Sequence, residues 1–421
     1  MPQSTATVEC PASVLTLDNG LTLIHHYVPA TPVAVVDVWV RAGAIAEPDP
    51  WSGMAHFLEH MIFKGTDCIG PGVFDRVIES RGGLTNAATS HDYAHYFITT
   101  AAQYLEDTLP YLAELLLNAS IPADEFVRER EVVLEEIHQA FDNPDWLGFH
   151  RLTESVYQQH PYGRPILGTE TKLMQRSPEE MRCFHREHYH PENMSVVVVG
   201  GVSQLQAVEL VNDAFQTSSV RPNYPKFDLE PEPPIVGIRR QELHLPRLEQ
   251  ARLLMAWIGP GASQLHNAHG LDLLSVLLAE GRSSRLVREL REERGLVHAI
   301  SSSFSLQQDS SLFTIAAWLD AKHLETVEAI VRDRIAELQT TLISPTELSR
   351  CKRLLANDYA FSTEAPSQLA GLYGYYNTIA TIHKAVTYPE QIQALQAATL
   401  QYLARQYLLP DHYAVTILKP D

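Results

Sequence analysis

The chain has 421 residues, 45% hydrophobic and 20% charged, and 51 acidic against 32 basic side chains give a formal net charge of −19. At about 100–200 residues per domain, this length predicts two or three domains, each able to bury a core. No apolar run approaches the ~18–20 residues of a membrane-spanning helix, and no basic stripe is available to neutralise nucleic-acid phosphates. Neither a membrane span nor a nucleic-acid partner is expected.

Residues 1–20 lack a basic segment followed by an apolar one and lack an Arg-rich transit pattern, so a soluble, cytoplasmic protein is expected. Cys10, Cys68, Cys183 and Cys351 are far apart and form no CxxC pair. They read as reduced thiols. The acidic excess reads first as a solubility device and second as an attraction for basic peptides.

In chain order, residues 15–27 and 33–40 read as strands, 54–64 and 71–81 as helices, and 84–89 and 93–100 as strands. Long helical patterns fill 103–159 and a further one 177–189, before an apolar strand at 195–200 and a helix at 203–215. Residues 217–237 carry five prolines, including Pro231, Pro233 and Pro234, and no period. Proline at that density keeps the backbone extended, so this segment reads as a linker. Beyond it come strands at 241–245 and 253–258, helices at 266–279 and 283–293, and strands at 298–306 and 312–319. Helices dominate 322–405, and a strand at 413–418 closes the chain. The same order of elements occurring twice predicts an α+β fold of two structurally similar domains, 1–216 and 238–421. Each is expected to be a mixed or antiparallel sheet covered by helices.

The chemistry concentrates in residues 51–66, WSGMAHFLEHMIFKGT. His56 and His60 are one helical turn apart and share a face, with Glu59 beside them. Phe57, Leu58, Met61 and Ile62 cover the remaining circumference, so the helix is expected to be buried. Ser52 is the expected N-cap and Gly65 the expected stop. Two imidazoles and a carboxylate in a buried helix need partners, and a zinc ion supplies them. Zinc takes neutral imidazole and, when catalytic, keeps one position for water. A third protein ligand must come from elsewhere. In residues 125–140, EFVREREVVLEEIHQA, the helical period puts Glu129, Val132, Val133, Glu136 and Ala140 on one stripe and Glu131 and Glu135 opposite. Glu129 and Glu136 are thus the carboxylates set in an apolar stripe.

His56-x-x-Glu59-His60 resembles the inverted zinc motif of the pitrilysin-like metallopeptidases, the inverzincins. The nearer resemblance is to the short chains that include the mitochondrial processing peptidase β subunits and their bacterial relatives. That family takes its third ligand, a glutamate, from about 75 residues beyond the second histidine; Glu136 stands 76 beyond His60. The supporting glutamate seven residues earlier corresponds to Glu129. Further matches lie in HMIFKGT, GLTNA, HPYGRPILGT and YHPEN, and in residues 281–285 and 291–295 of the second half.

The resemblance implies a zinc endopeptidase for extended peptides or presequences, with Zn2+ on His56, His60 and Glu136 and Glu59 as general base. It implies substrate adding to the edge strand that carries Asn86 and Ala87. It also implies that the two domains form half of a clamshell. Active members bring an Arg and a Tyr, seven residues apart, to the substrate carbonyl. Here Arg291 fits the first position, but His298 stands at the second. A heterodimer with a related non-zinc subunit carrying the Arg/Tyr pair, or a homodimer, is therefore expected. A non-catalytic structural or assembly subunit of the same fold is the competing reading, and the intact motif argues against it. His185, His188 and His190 are expected to serve packing, and His91 and His95 to make at most a minor substrate contact.

Overall fold

Among residues 10–216 and 229–420, which the computed structural model describes, the apolar and alternating runs form eleven strands in two sheets. The first six are β1 (Ser13–Thr16), β2 (Thr22–Tyr27), β3 (Val33–Val40), β4 (Leu84–Thr89), β5 (Ala94–Ala101) and β6 (Met194–Gly200). They pair in the order β1-β2-β6-β3-β5-β4. The other five are β7 (Ile238–His244), β8 (Ala251–Pro260), β9 (Ala299–Leu306), β10 (Ser310–Leu319) and β11 (Tyr413–Lys419), in the order β7-β11-β8-β10-β9. In each sheet one pair is parallel, β2 with β6 and β7 with β11, and every other pair is antiparallel. The second sheet therefore repeats the first without a counterpart of β1. This is the α+β duplication that the element order predicts.

Four helices matter below: α1 (Met54–Ile62), α2 (Ala123–Asp142), α3 (Pro144–Val156) and α4 (Pro366–Ile379). The chain divides into two compact units, and each borrows a segment from the opposite end of the sequence. The first takes Met1–His138, Arg164–Asp228 and Ser362–Thr387; the second takes Gln139–Gly163, Leu229–Phe361 and Tyr388–Asp421. Relative to the expected halves 1–216 and 238–421, each unit thus adds a segment from the other half. The reason is that the central strands are apolar on both faces. All seven residues of β6 are buried, as are six of the seven in β11. Each such strand needs cover on two sides. In the first unit α4 packs on β3 and β6 and joins the core of Ile24, Val35, Trp39, Val197 and Val199 through Ala370 and Tyr373. In the second, α3 packs on β8 and β11, with Gly148 set against Leu254 and Leu418.

Three local expectations change. The strand expected over 15–27 breaks into a β1–β2 hairpin, because Gly20 has φ +85° and the Asn19 side chain accepts the Leu21 N–H at 3.1 Å. The helical block 103–159 divides before α3, where the Asn143 side chain accepts N–H groups of Asp145 and Trp146. The helix expected over 283–293 contains a π-helical segment, Val287–Glu293. Of the expected linker, residues 217–228 lie outside the described residues, and 229–237 have no regular structure. No helix among the described residues is long and apolar enough to cross a membrane.

The α4 contact can be tested directly. A methyl group at Gly374 would lie 2.0 Å from Trp39 Nε1. Gly374→Ala should destabilise the first unit by about 1–3 kcal/mol, the usual cost of overpacking, read as a lower urea midpoint. An unchanged midpoint would show that α4 is not seated on β3.

Candidate metal centre

Helix α1 is a nine-residue amphipath whose polar side carries the motif. Met54, Ala55, Phe57, Leu58, Met61 and Ile62 are buried, whereas His56, Glu59 and His60 are partly exposed on the remaining face. The helix is thus less enclosed than its all-round apolar sequence predicts. Its start also differs from expectation. Gly53 is the N-cap, with φ 95° and no side-chain cap, and Ser52 Oγ has no partner. The buried Glu47 carboxyl group instead accepts the N–H groups of Gly53 at 3.0 Å and Ala55 at 2.7 Å. Gly65, with φ +100°, follows the end of the helix as expected.

Phe57 of α1 meets Phe126 of α2 with ring centroids 4.6 Å apart. That contact sets the two helices so that Glu129 and Glu136 face the imidazoles. Glu136 Oε2 lies 3.7 Å from His56 Nε2 and 3.5 Å from His60 Nε2. His60 Nδ1–H donates to Glu129 Oε1 at 2.9 Å, and Lys64 Nζ donates to Glu129 Oε2 at 2.6 Å. The stripe on α2 is narrower than expected, since Glu129 and Val133 are buried but Val132 is 47% exposed.

Electrostatics sort these groups. Burial, with the neighbouring His60 adding to it, pulls the His56 pKa down to about 4. His56 is therefore a neutral imidazole at neutral pH. Burial raises Glu129, but hydrogen bonds and charge from Lys64 and His60 outweigh it and hold the carboxyl below its ordinary range. As a carboxylate, Glu129 accepts a hydrogen bond from the Nδ1–H of His60 and leaves Nε2 free as a ligand atom. Burial lifts the Glu59 pKa above its ordinary value, opposed by the Thr89 hydroxyl, which donates to Glu59 Oε2 at 2.5 Å.

The donor set fits zinc. His56, His60 and Glu136 each offer one atom, all within 4.8 Å of one another. Tetrahedral zinc with ligands at about 2.0–2.2 Å needs donors about 3.3–3.6 Å apart, close to the 3.7 and 3.5 Å from Glu136 to the two imidazoles. Among the described residues no other group of three metal-binding side chains converges in this way.

The remaining residues of interest are distributed as follows. Asn86 is exposed and Ala87 partly exposed on β4, the outermost strand of the first sheet, whose Thr89 reaches Glu59. Arg291 and His298 belong to the second unit. Arg291, in the π-helical segment, pairs with Glu292 at 2.7 Å; His298 Nε2 lies 3.5 Å from Asp320. His185 is buried and hydrogen-bonded to the Leu116 carbonyl, and His188 packs on Phe184. His95 bonds Asp37 and stacks on Trp39. Glu47, Lys64 and Thr89 carry roles that sequence reasoning did not assign. Lys64 had one visible signal, its place one helical turn after His60.

Lys64→Met should weaken zinc binding about tenfold, the low end of what lost support around a ligand costs, while one zinc per chain is kept at saturation. Competition with a chromophoric chelator measures this. Unchanged affinity would reduce Lys64–Glu129 to a surface ion pair.

Known proteins are similar to this chain in sequence and fold. The family model described as insulinase, peptidase family M16, matches residues 23–170, and the one described as the peptidase M16 inactive domain matches 176–355. The zinc protease PqqE of Helicobacter pylori is 30% identical over 417 residues, covering 96% of this chain and 92% of its own. An uncharacterized zinc protease of Bacillus subtilis, YmxG, is 28% identical over 96% of this chain and 98% of its own. The crystal structure of a protease from Helicobacter pylori superposes with a TM-score of 0.91 at 28% identity, covering 97% of this chain and 99% of its own. The periplasmic protease PqqL of Escherichia coli shares the fold, with a TM-score of 0.83 at 16% identity; 98% of this chain matches 48% of that one. With its HxxEH helix, its distant glutamate and near full-length similarity to these proteases, the chain belongs to peptidase family M16, the insulinase family.

Proposed function

We propose that this chain is a zinc-dependent endopeptidase that cleaves peptides held in extended form along β4. The observation that carries this reading is the convergence of His56, His60 and Glu136 beside Glu59, which is itself hydrogen-bonded to Thr89 of that edge strand. Zinc bound there supplies a lowered pKa for water and polarisation of the scissile carbonyl. Glu59 is the general base: it takes a proton from the attacking water and returns it to the leaving amine. Burial raises the proton affinity of Glu59, which favours its accepting a proton from the water. The Thr89 hydroxyl fixes one Glu59 oxygen and leaves the other for this work. Glu129 and Lys64 orient His60. Main-chain pairing with β4 is largely indifferent to substrate side chains, so Asn86 and Ala87 position peptide without reading much sequence.

The active assembly, in this reading, contains a second chain. By resemblance the carbonyl contacts come from an Arg and a Tyr, and this chain offers Arg291 and His298. A related subunit bringing the tyrosine, or a second copy in which histidine serves, would complete the site. The fold match to about half of the longer PqqL chain supports a working unit of twice this size. Enclosure excludes water and strengthens the electrostatics around the reacting atoms.

Three outcomes test the reading. Purified protein should carry about one zinc per chain, and chelation should abolish cleavage of an unstructured peptide while zinc restores it; full cleavage without metal would overturn the proposal. Glu59→Gln should keep zinc and lose turnover by about 10²–10⁴-fold, whereas Glu136→Gln should lose zinc. Near-normal turnover by Glu59→Gln would assign the base elsewhere. Light scattering and assay on one sample should find the isolated monomer weakly active and a dimeric form active. A fully active monomer would remove the need for a partner.

A further inference from the structure

Resting on the zinc reading above, we infer that Glu47 is a positioning residue for His56, acting through the first turn of α1. The two histidines of the motif are held by different means. His60 has an orienting partner on its far nitrogen, Glu129. His56 has none: its Nδ1 is buried without a hydrogen-bond partner. Metal-binding histidines ordinarily have their second nitrogen held by a neighbouring group. The position of the His56 ring is therefore set by its backbone and its packing alone.

That backbone is the part of the helix most prone to fray. Met54 opens α1, so His56 is its third residue, within the turn whose N–H groups have no partners inside the helix. The N-cap residue is Gly53, which has no side chain to satisfy them. Glu47 does so from outside, its two oxygens accepting from Gly53 and Ala55, and it is 3% exposed. Burial pushes its pKa up to about 8, with the two backbone hydrogen bonds and the charges of Arg164 and Lys172 opposing.

Glu47 is itself anchored. Arg164 donates to the Glu47 carbonyl at 3.2 Å and to Asp49 at 2.7 Å. Just upstream, the N–H groups of Ala44 and Ile45 donate to the carbonyls of Ser90 and His91, in the turn between β4 and β5. Gly43 allows that approach, since a Cβ there would meet His91 O at 2.3 Å. Gly53 and Gly168, both at positive φ, lie close enough that a Cβ on either would clash with the other. The segment from Gly43 to Gly53 is thus a brace. It ties the His56 turn to the strand pair that presents Thr89 to Glu59.

The test is metal binding, with Co2+ and Zn2+ as probes. Wild-type protein loaded with Co2+ should give visible d–d absorption of a tetrahedral site; if it binds neither ion, the zinc reading fails and not this inference alone. Glu47→Ala should weaken Zn2+ binding by about 10–100-fold and alter the Co2+ spectrum, with far-UV circular dichroism unchanged. Glu47→Gln keeps one acceptor but turns an amide N–H toward a backbone N–H, and should fall between the two. It also serves if Glu47→Ala fails to fold. A Glu47→Gln or Glu47→Ala protein with wild-type Zn2+ affinity and Co2+ spectrum would overturn the proposal.

Discussion

The candidate metal centre depends on one contact, that of α1 with α2. Phe57 against Phe126 fixes it on the buried side. On the open side it brings two imidazoles of one helix to a carboxylate of the other, 3.5 and 3.7 Å away. The residues that provide burial and those that provide chemistry are therefore on one short helix. Its apolar residues are buried, and its polar residues lie together on the partly exposed face. Desolvation then keeps His56 neutral, as a ligand must be, and raises the proton affinity of Glu59.

Around that contact, each polar group is controlled from a different part of the chain. Glu129 and Lys64 hold His60, Thr89 holds Glu59, and Glu47 holds the backbone under His56. The edge strand that supplies Thr89 is the same strand proposed to receive peptide. Substrate position and base position thus share a support, which makes the geometry between them a property of the sheet.

The exchange of segments between the two units follows from the same accounting of buried faces. A duplicated α+β unit with an apolar central strand needs helices on both sides of its sheet. Here α3 and α4 each meet that need for a unit built mainly from the other half of the sequence. Gly148 and Gly374 mark places where these two helices approach their sheets closely, against Leu254 and Leu418 in one case and Trp39 in the other.

The sequence by itself determined the elements and the donors. A strand alternates with period two and a helix with period 3.6, so neighbouring residues alone put His56, Glu59 and His60 on one face and separate Glu129 and Glu136 from Glu131 and Glu135. Family resemblance chose between those two glutamates for the ligand position. Tertiary structure decided what local periodicity does not carry. Glu47 replaces Ser52 at the start of α1 because a buried carboxyl group arrives from a preceding loop. Lys64 matters because α2 brings Glu129 to it. Residues 139–163 and 362–387 cross to the opposite unit because distant strands need cover. Each of these depends on groups brought together by folding, and a window of adjacent residues holds no record of them.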